Sequence, residues 1–318
     1  MMLAYLLRRA LAAVPTLFWV LVLIFLGLHI LPGDPAIALL GDQASEEQLR
    51  NFRALNGLDQ PLLTQFWRYL KGAALLDLGK SYQLEQPVAG VILSFLPYTL
   101  DLAFASLSLG VVVGIPLGVM MALRRDSVWD FAGGAAALGG ISIPDFCLSV
   151  LLLLVFSIGL GWFPTVGQID MSSPLSRLYN VFLPALSIGF VQSAPIMRVT
   201  RASMLDVLNA PYIQAARSKG LPAWRVFFLH ALRNALIPVA TVAATGMTVA
   251  LGGTIVIEII FNRPGLGKLL IGGVASRDYN MIQGVILVYS VIVVFVNLTV
   301  DLLYTLIDPR VSLGKGGN

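Results

Sequence analysis

Thr99–Leu123 reads TLDLAFASLSLGVVVGIPLGVMMAL, a run whose only ionisable side chain is Asp101. A bilayer hydrocarbon core of roughly 30 Å is crossed by about 20 apolar residues when they coil into a helix. A strand would leave backbone groups unpaired in lipid, and the alternation of a barrel strand is missing here. The run is therefore a transmembrane helix. Within it Ser106, Gly110, Gly114 and Gly118 recur every fourth residue, which strips one helix face of bulk and lets a neighbouring backbone approach. Pro116 beside them predicts a bend.

Five further runs of comparable length follow the same logic: Ala10–Leu31, Ala132–Leu160, Phe182–Thr200, Ala235–Ile257 and Gln283–Ile307. The run Phe182–Thr200 is the weakest, interrupted by Gln192, Pro195 and Arg198. Across all 318 residues, 57% are hydrophobic and 12% charged, with a mean hydropathy of +0.84. That balance excludes an ordinary soluble domain. The expected architecture is all-α with six transmembrane helices in one membrane domain, residues 1–318. The first run follows Arg8 and Arg9 as a signal peptide would, but it exceeds a typical signal core and no small-residue cleavage site follows, so it reads as a retained helix.

Orientation follows from the basic residues, which cytoplasmic loops retain. With both termini cytoplasmic, 12 of the 21 Lys and Arg side chains fall inside, among them Arg124, Arg125, Arg217, Lys219, Arg310 and Lys315. The positive charge is thus spread over juxtamembrane segments, and no basic domain with interleaved aromatics exists, which excludes a nucleic-acid partner. Membrane lipid is the expected surrounding. Cys147, the single cysteine, falls inside a span and reads as a packing residue; neither a disulfide framework nor a thiol metal cluster is available within one chain.

Two loops stand out. Residues 32–98 form an external cap containing the amphipathic stretches Glu46–Leu55 and Leu62–Leu70, with five basic and seven acidic side chains; it either receives a soluble partner or is simply solvated. Residues 201–234 lie on the cytoplasmic side. There Asn209 is placed to cap a short helix, Pro211 to open it and Gly220 to close it, with Arg217 and Lys219 in the last turn. Pro222 opens a second helix through Trp224, Phe227 and Phe228. Ala210, Ala215 and Ala216 leave a shallow surface that either meets another protein's cleft or belongs to a plain connector. A further external loop, Glu258–Ile282, contains Phe261–Gly267, FNRPGLG, whose Pro264 and paired glycines predict a tight turn.

Catalytic readings fail for want of residues. Gly79-Lys80-Ser81 ends like a phosphate-binding loop, but Ala74 replaces the leading glycine; near Gly267-Lys268 the same positions hold Asn262 and Leu269. His29 and His230 lie far apart in the chain, and no metalloprotease or serine-hydrolase motif occurs. No catalytic residue, cofactor or metal is assigned, and any ATP hydrolysis belongs to a separate polypeptide. Two features bear on passage of a solute. Thr241, Thr245 and Thr248, with Gly252, give one helix face hydroxyls that either line a water-accessible path or pack against another helix. Asp145, an acid within a span, costs roughly 2.5–3.5 kcal/mol to insert; it either lines the pathway and attracts a cationic group or is a structural acid satisfied by protonation or a partner.

Tyr212–Leu221, YIQAARSKGL, followed by His230–Pro238, HALRNALIP, resembles the coupling loop of permease subunits of bacterial ATP-binding-cassette importers in the dipeptide, oligopeptide and nickel group. The resemblance covers nearly the whole chain: Arg8-Arg9 with Pro15, Pro32–Ala36, Gly57–Pro61, Ser142-Ile143-Pro144, Arg201–Met204, Glu258–Phe261 and Pro264–Gly267 are similar to that group's signatures. It implies a type I importer permease fold in the bacterial cytoplasmic membrane, paired with a second permease, two cytoplasmic ATPases that bind ATP and Mg, and an extracytoplasmic solute-binding protein. It further implies that the helix with Gln214, Ala215, Ala216 and Gly220 docks in an ATPase groove. Gln214 stands where many importers have Glu, and Asp145 adds charge after Ser142-Ile143-Pro144 where the group is generally neutral. Dipeptides or short oligopeptides are the expected cargo, with nickel or a metal chelate as the alternative. An ion-coupled secondary transporter is the competing class; it predicts paired repeats with interrupted helices, and no internal repeat is visible.

Overall fold

The computed structural model describes residues 2–30, 33–165 and 173–307. Leu31, Pro32, the loop segment 166–172 and the tail bearing Asp308, Arg310 and Lys315 lie outside the described residues. Among the described residues the regular elements are helical, in the order α1 (Met2–Ile30), α2 (Pro35–Leu40), α3 (Glu46–Asn56), α4 (Leu62–Leu75), α5 (Val88–Leu123), α6 (Val128–Ser142), α7 (Asp145–Leu152), α8 (Pro174–Leu208), α9 (Pro211–Ser218), α10 (Ala223–Arg225), α11 (Arg233–Ile260), α12 (Leu266–Ser276) and α13 (Tyr279–Ile307). Wide π-helical turns extend α7 over Leu153–Gly159 and join α10 to α11 over Val226–Leu232. Among the described residues five helical stretches are long and apolar enough to cross a membrane, and the bent pair α6–α7 makes a sixth when taken as one broken span.

The third span differs from the uninterrupted helix expected over Ala132–Leu160: its halves meet at 98°. Pro144 is the cause. Its ring disfavours the helical region at the preceding residue and it has no N–H to continue the ladder, so Ile143 (ψ 119°) and Pro144 (ψ 138°) are both extended. Asp145 therefore opens a helix and does not sit mid-helix. Helix α5 begins at Val88, ahead of the expected Thr99, so residues 88–98 of the expected cap are helical and run on continuously into the second span. Glu258, expected in an external loop, lies within α11 and is fully buried. In the turn that follows, the left-handed residue is Asn262 (φ 46°), whereas Gly265 (φ 170°) is extended and Gly267 is already helical. The paired glycines do not make that turn.

The backbone groups into two compact units, one comprising the chain up to Thr99 with Pro264–Leu298, the other Leu100–Arg263 with the chain from Thr299. In the first, Val88, Ile92, Leu266, Met281 and Val285 form one core and Leu28, Tyr279 and Ile282 another. Its polar joints are specific. Asp34 accepts from Ala36 N (2.8 Å) at the start of α2, and Ser45 and Gln48 form a reciprocal capping box at α3. Asp278 accepts from Ser81 Oγ (2.5 Å) and Met281 N (3.1 Å), tying the cap to the first turn of α13.

The second unit is built around α8. Its mean hydropathy, 1.3, is the lowest of the five long spans, yet 67% of its apolar window is buried within the chain, against 17% for α1. Burial explains the weak signal: Ser187, Gln192, Ser193 and Thr200 face protein, not lipid. Thr200 Oγ1 donates to Ile196 O (2.7 Å), Ser187 Oγ to Pro184 O (2.6 Å) and Gln192 Nε2 to Gly246 O (3.0 Å), whereas the buried Gln192 Oε1 has no hydrogen-bond partner among the described residues. Ser106, Gly110, Gly114 and Gly118 of α5 lie along α8. A Cβ on Gly114 would stand 2.7 Å from Ser193 O, and one on Gly118 2.5 Å from Met197 O; Gly189 reciprocates, with Ser106 O 2.7 Å from its Cβ position. Gly114→Val should therefore force the helices apart at a cost of about 1–3 kcal/mol. A lowered thermal midpoint of the purified membrane complex would register it, while Gly134→Ala, where nothing lies within 4 Å, should not lower the midpoint.

Candidate functional site

Helix α9 is short and amphipathic, and its two faces are clearly assigned. Pro211 occupies its first position, where a missing N–H costs nothing. The expected Asn209 cap does not form: Asn209 retains helical dihedrals at the end of α8 and donates from Nδ2 to Leu205 O (2.9 Å), leaving Ala210 as the extended N-cap residue. At the other end Gly220 is left-handed (φ 75°). Gly220 N donates to Arg217 O (2.9 Å) and Leu221 N to Ala216 O (3.4 Å), a Schellman closure that satisfies two terminal carbonyls.

Ile213 is fully buried against Ala122, Met204, Val226, Ala231 and Ala235, which fixes α9 to the ends of α5, α8 and α11. Ala210 and Ala216 also pack on that cluster. The outward face is made by Gln214, Ala215, Arg217 and Ser218, with Gly220 exposed beyond them; the three alanines do not form one shared surface. Asn234 Nδ2 donates to Tyr212 Oη (3.2 Å), a second tie from α9 to α11. Phe227 packs inward, whereas Trp224 and Phe228 are exposed.

Asp145 stands at the first position of α7, where an acid is favoured by the helix dipole. Its Oδ1 accepts from Phe146 N (2.8 Å), and Oδ2 lies 3.0 Å from where a Cβ on Gly253 would be. The fifth span thus meets the break in the third at a residue without a side chain. On the same span Thr245 is exposed and donates to Val242 O (3.0 Å) and Thr241 O (3.2 Å); Thr241 and Thr248 are half-buried. The stripe is not covered by this chain's own helices at Thr245 and Gly252, both of which are exposed.

In the first unit a cavity of about 560 Å³ is lined by His29, Gln65, Arg68, Tyr69, Tyr82 and Asn280, among others. Burial, then the neighbouring Asp278 carboxylate, pushes the Tyr82 phenol above its ordinary range. Gly79-Lys80-Ser81 is a bracket onto α13, not a phosphate loop: Asn280 Nδ2 donates to Lys80 O (2.8 Å), and Ser81 holds Asp278.

Six candidate spans, one of them broken beside an acid, with a short capped helix held against the ends of three others, define a transport permease subunit. The sequence matches the family described as binding-protein-dependent transport system inner membrane component over residues 114–313, and the N-terminal model of the same group over residues 2–103. The chain belongs to that family. It is a multi-pass inner-membrane permease component of an ATP-binding-cassette importer, working with ATPase and binding-protein partners and not itself an enzyme. A protein of Brucella melitensis named as a peptide transport system permease is 42% identical over 98% of this chain and 99% of its own length. The glutathione transport system permease protein GsiC of Escherichia coli K12 is likewise 42% identical over 98% and 99%. Among solved structures, a chain of the MetNI methionine ABC transporter in inward-facing conformations is similar in fold, with a TM-score of 0.54 at 18% identity over 70% of this chain and 98% of that one.

A β-branched residue at a left-handed position costs about 1–2 kcal/mol, a cost Asn largely escapes. Gly220→Val should accordingly loosen residues 211–221, seen as faster amide exchange there, while Gly220→Asn should exchange at the wild-type rate.

Proposed function

We propose that this chain forms one half of the translocation pathway for dipeptides or short oligopeptides, delivered by the binding protein and released inward after switching driven by partner ATPases that bind ATP and Mg. The observation that carries the cargo is the near end-to-end likeness, at 42% identity, to permeases named for peptides and for glutathione, itself a tripeptide. Those names favour peptides over nickel or a metal chelate. The second half of the pathway is a different but similar permease chain, which covers the exposed Thr245 and Gly252 side of α11.

Helix α9 is the element that enters the ATPase groove. Its support is mechanical: Gln214, Ala215 and Arg217 face outward, while Ile213 and the Asn234–Tyr212 bond fasten the opposite side to the spans. A push on the outward face is therefore delivered to helices and not absorbed by a loose loop. Asp145, beside Gly253 at the break, is the pathway acid that receives a cationic group of the cargo. Affinity purification of the tagged chain in mild detergent should recover a second permease and two ATPases, with ATP hydrolysis stimulated by peptide-loaded binding protein. Recovery of the chain alone, transporting under an ion gradient, would sink this reading. Asp145→Asn should depress uptake of lysine-containing dipeptides more than that of neutral ones; equal uptake of all charge classes removes Asp145 from the pathway.

A further inference from the structure

Helix α8 carries a forked Arg–Asp pair near each end. Arg177 donates to Asp101 of α5 (2.5 and 3.2 Å), and Arg201 donates to Asp130 of α6 (2.5 and 2.7 Å). At 1.5 Å per residue roughly 36 Å of helix separates the two arginines, enough to put them at opposite ends of a span. The second pair is the more enclosed, with 8% of the Asp130 side chain exposed against 23% for Asp101. Asp130 is also fully used: Oδ1 takes Arg201 Nε, and Oδ2 takes Arg201 Nη2 together with Asp126 N (3.0 Å).

Its position in the chain gives the pair a task. Two residues beyond the end of α8, after Asn209 and Ala210, the chain enters α9, and Met204 of α8 is buried with Ile213 of α9. Asp130 lies in the first turn of α6, whose far end is the Pro144 break, where Asp145 meets Gly253. Between these points α6 lies on α8 and α5 through Met121, Ala137, Ala194 and Met197. Apolar side chains of this kind let helices slide. A guanidinium and a carboxylate joined by two parallel bonds hold distance and register together.

We propose that Asp130 and Arg201 are a positioning pair that carries displacement of α9 through α8 to α6, so that it emerges as a change of angle at Ser142–Pro144. The inference rests on the reading of α9 as the ATPase-docking helix. It is distinct from packing, because it requires the pair's geometry and not merely its charge.

The test uses the complete importer in nanodiscs, with spin labels at Leu138 and Leu151, exposed on either side of the break, and Cys147 replaced by Ser. Wild type should show a label-distance shift between the nucleotide-free and vanadate-trapped states. Arg201→Lys, which keeps the charge and loses the fork, should retain ATP hydrolysis and lose the shift. Asp130→Asn should lower peptide transported per ATP by about tenfold, and Asp130→Arg with Arg201→Asp should recover a large part of it. A wild-type shift in Arg201→Lys overturns the proposal, as does an unchanged transport-to-hydrolysis ratio in Asp130→Asn. Gly220→Val in the same assay separates the two levels. Loss of coupling there with none in Asp130→Asn refutes the pair alone, whereas full coupling in both refutes the role of α9 as well.

Discussion

The close approach of α5 to α8 is the contact on which the second unit depends. Lipid tails are as apolar as leucine, so no hydrophobic force drives two helices together inside a bilayer, and what remains is dispersion and polar bonding at short range. Gly110, Gly114 and Gly118 on one helix and Gly189 on the other bring backbone against backbone, and at Gly114, Gly118 and Gly189 the position that a Cβ atom would need is taken by a carbonyl oxygen. With α8 seated in this way, Ser187, Gln192 and Thr200 are enclosed where their bonds to backbone carbonyls are shielded from competition. The seam and the buried polar groups are one design: the first makes the enclosure that the second needs.

Rigidity along α8 is offset by a break beside it. Pro144 divides the third span and leaves an acid at the start of its second half, against a glycine of the fifth span. Irregular backbone at membrane depth is tolerated where protein or a water-filled cavity receives it, which is the setting expected near a solute path. The arrangement places a sharp bend next to a helix that is pinned near both ends by ion pairs.

Much of this was legible in the residues. The spans, the small-residue face of α5, the two cap helices and the left-handed Gly220 all follow from local rules that tertiary structure respects. What misled were signals whose meaning depends on neighbours. Gln192 and Pro195 weaken a span only if lipid is its solvent, and here the solvent is protein. Asn209 has the chemistry of a cap but stays in the helix before it. Ala210 and Ala216 look like a landing surface with Ala215 until Ile213 turns them inward. The Asp130–Arg201 pair had no local signal at all, since its members stand 71 positions apart. Its one trace was a pair of charges near expected span ends.

A buried, polar-studded α8 also bears on how the chain is made. Insertion machinery reads each segment against lipid as it emerges, and by that measure α8 is the least convincing span. Its polar groups find partners in α5, which is synthesised earlier, and in α11, which comes later: Arg177 pairs with Asp101, while Gln192 waits for Gly246. Biogenesis therefore has a bottleneck between the third and fifth spans, during which a half-satisfied helix depends on its predecessors to stay in the bilayer.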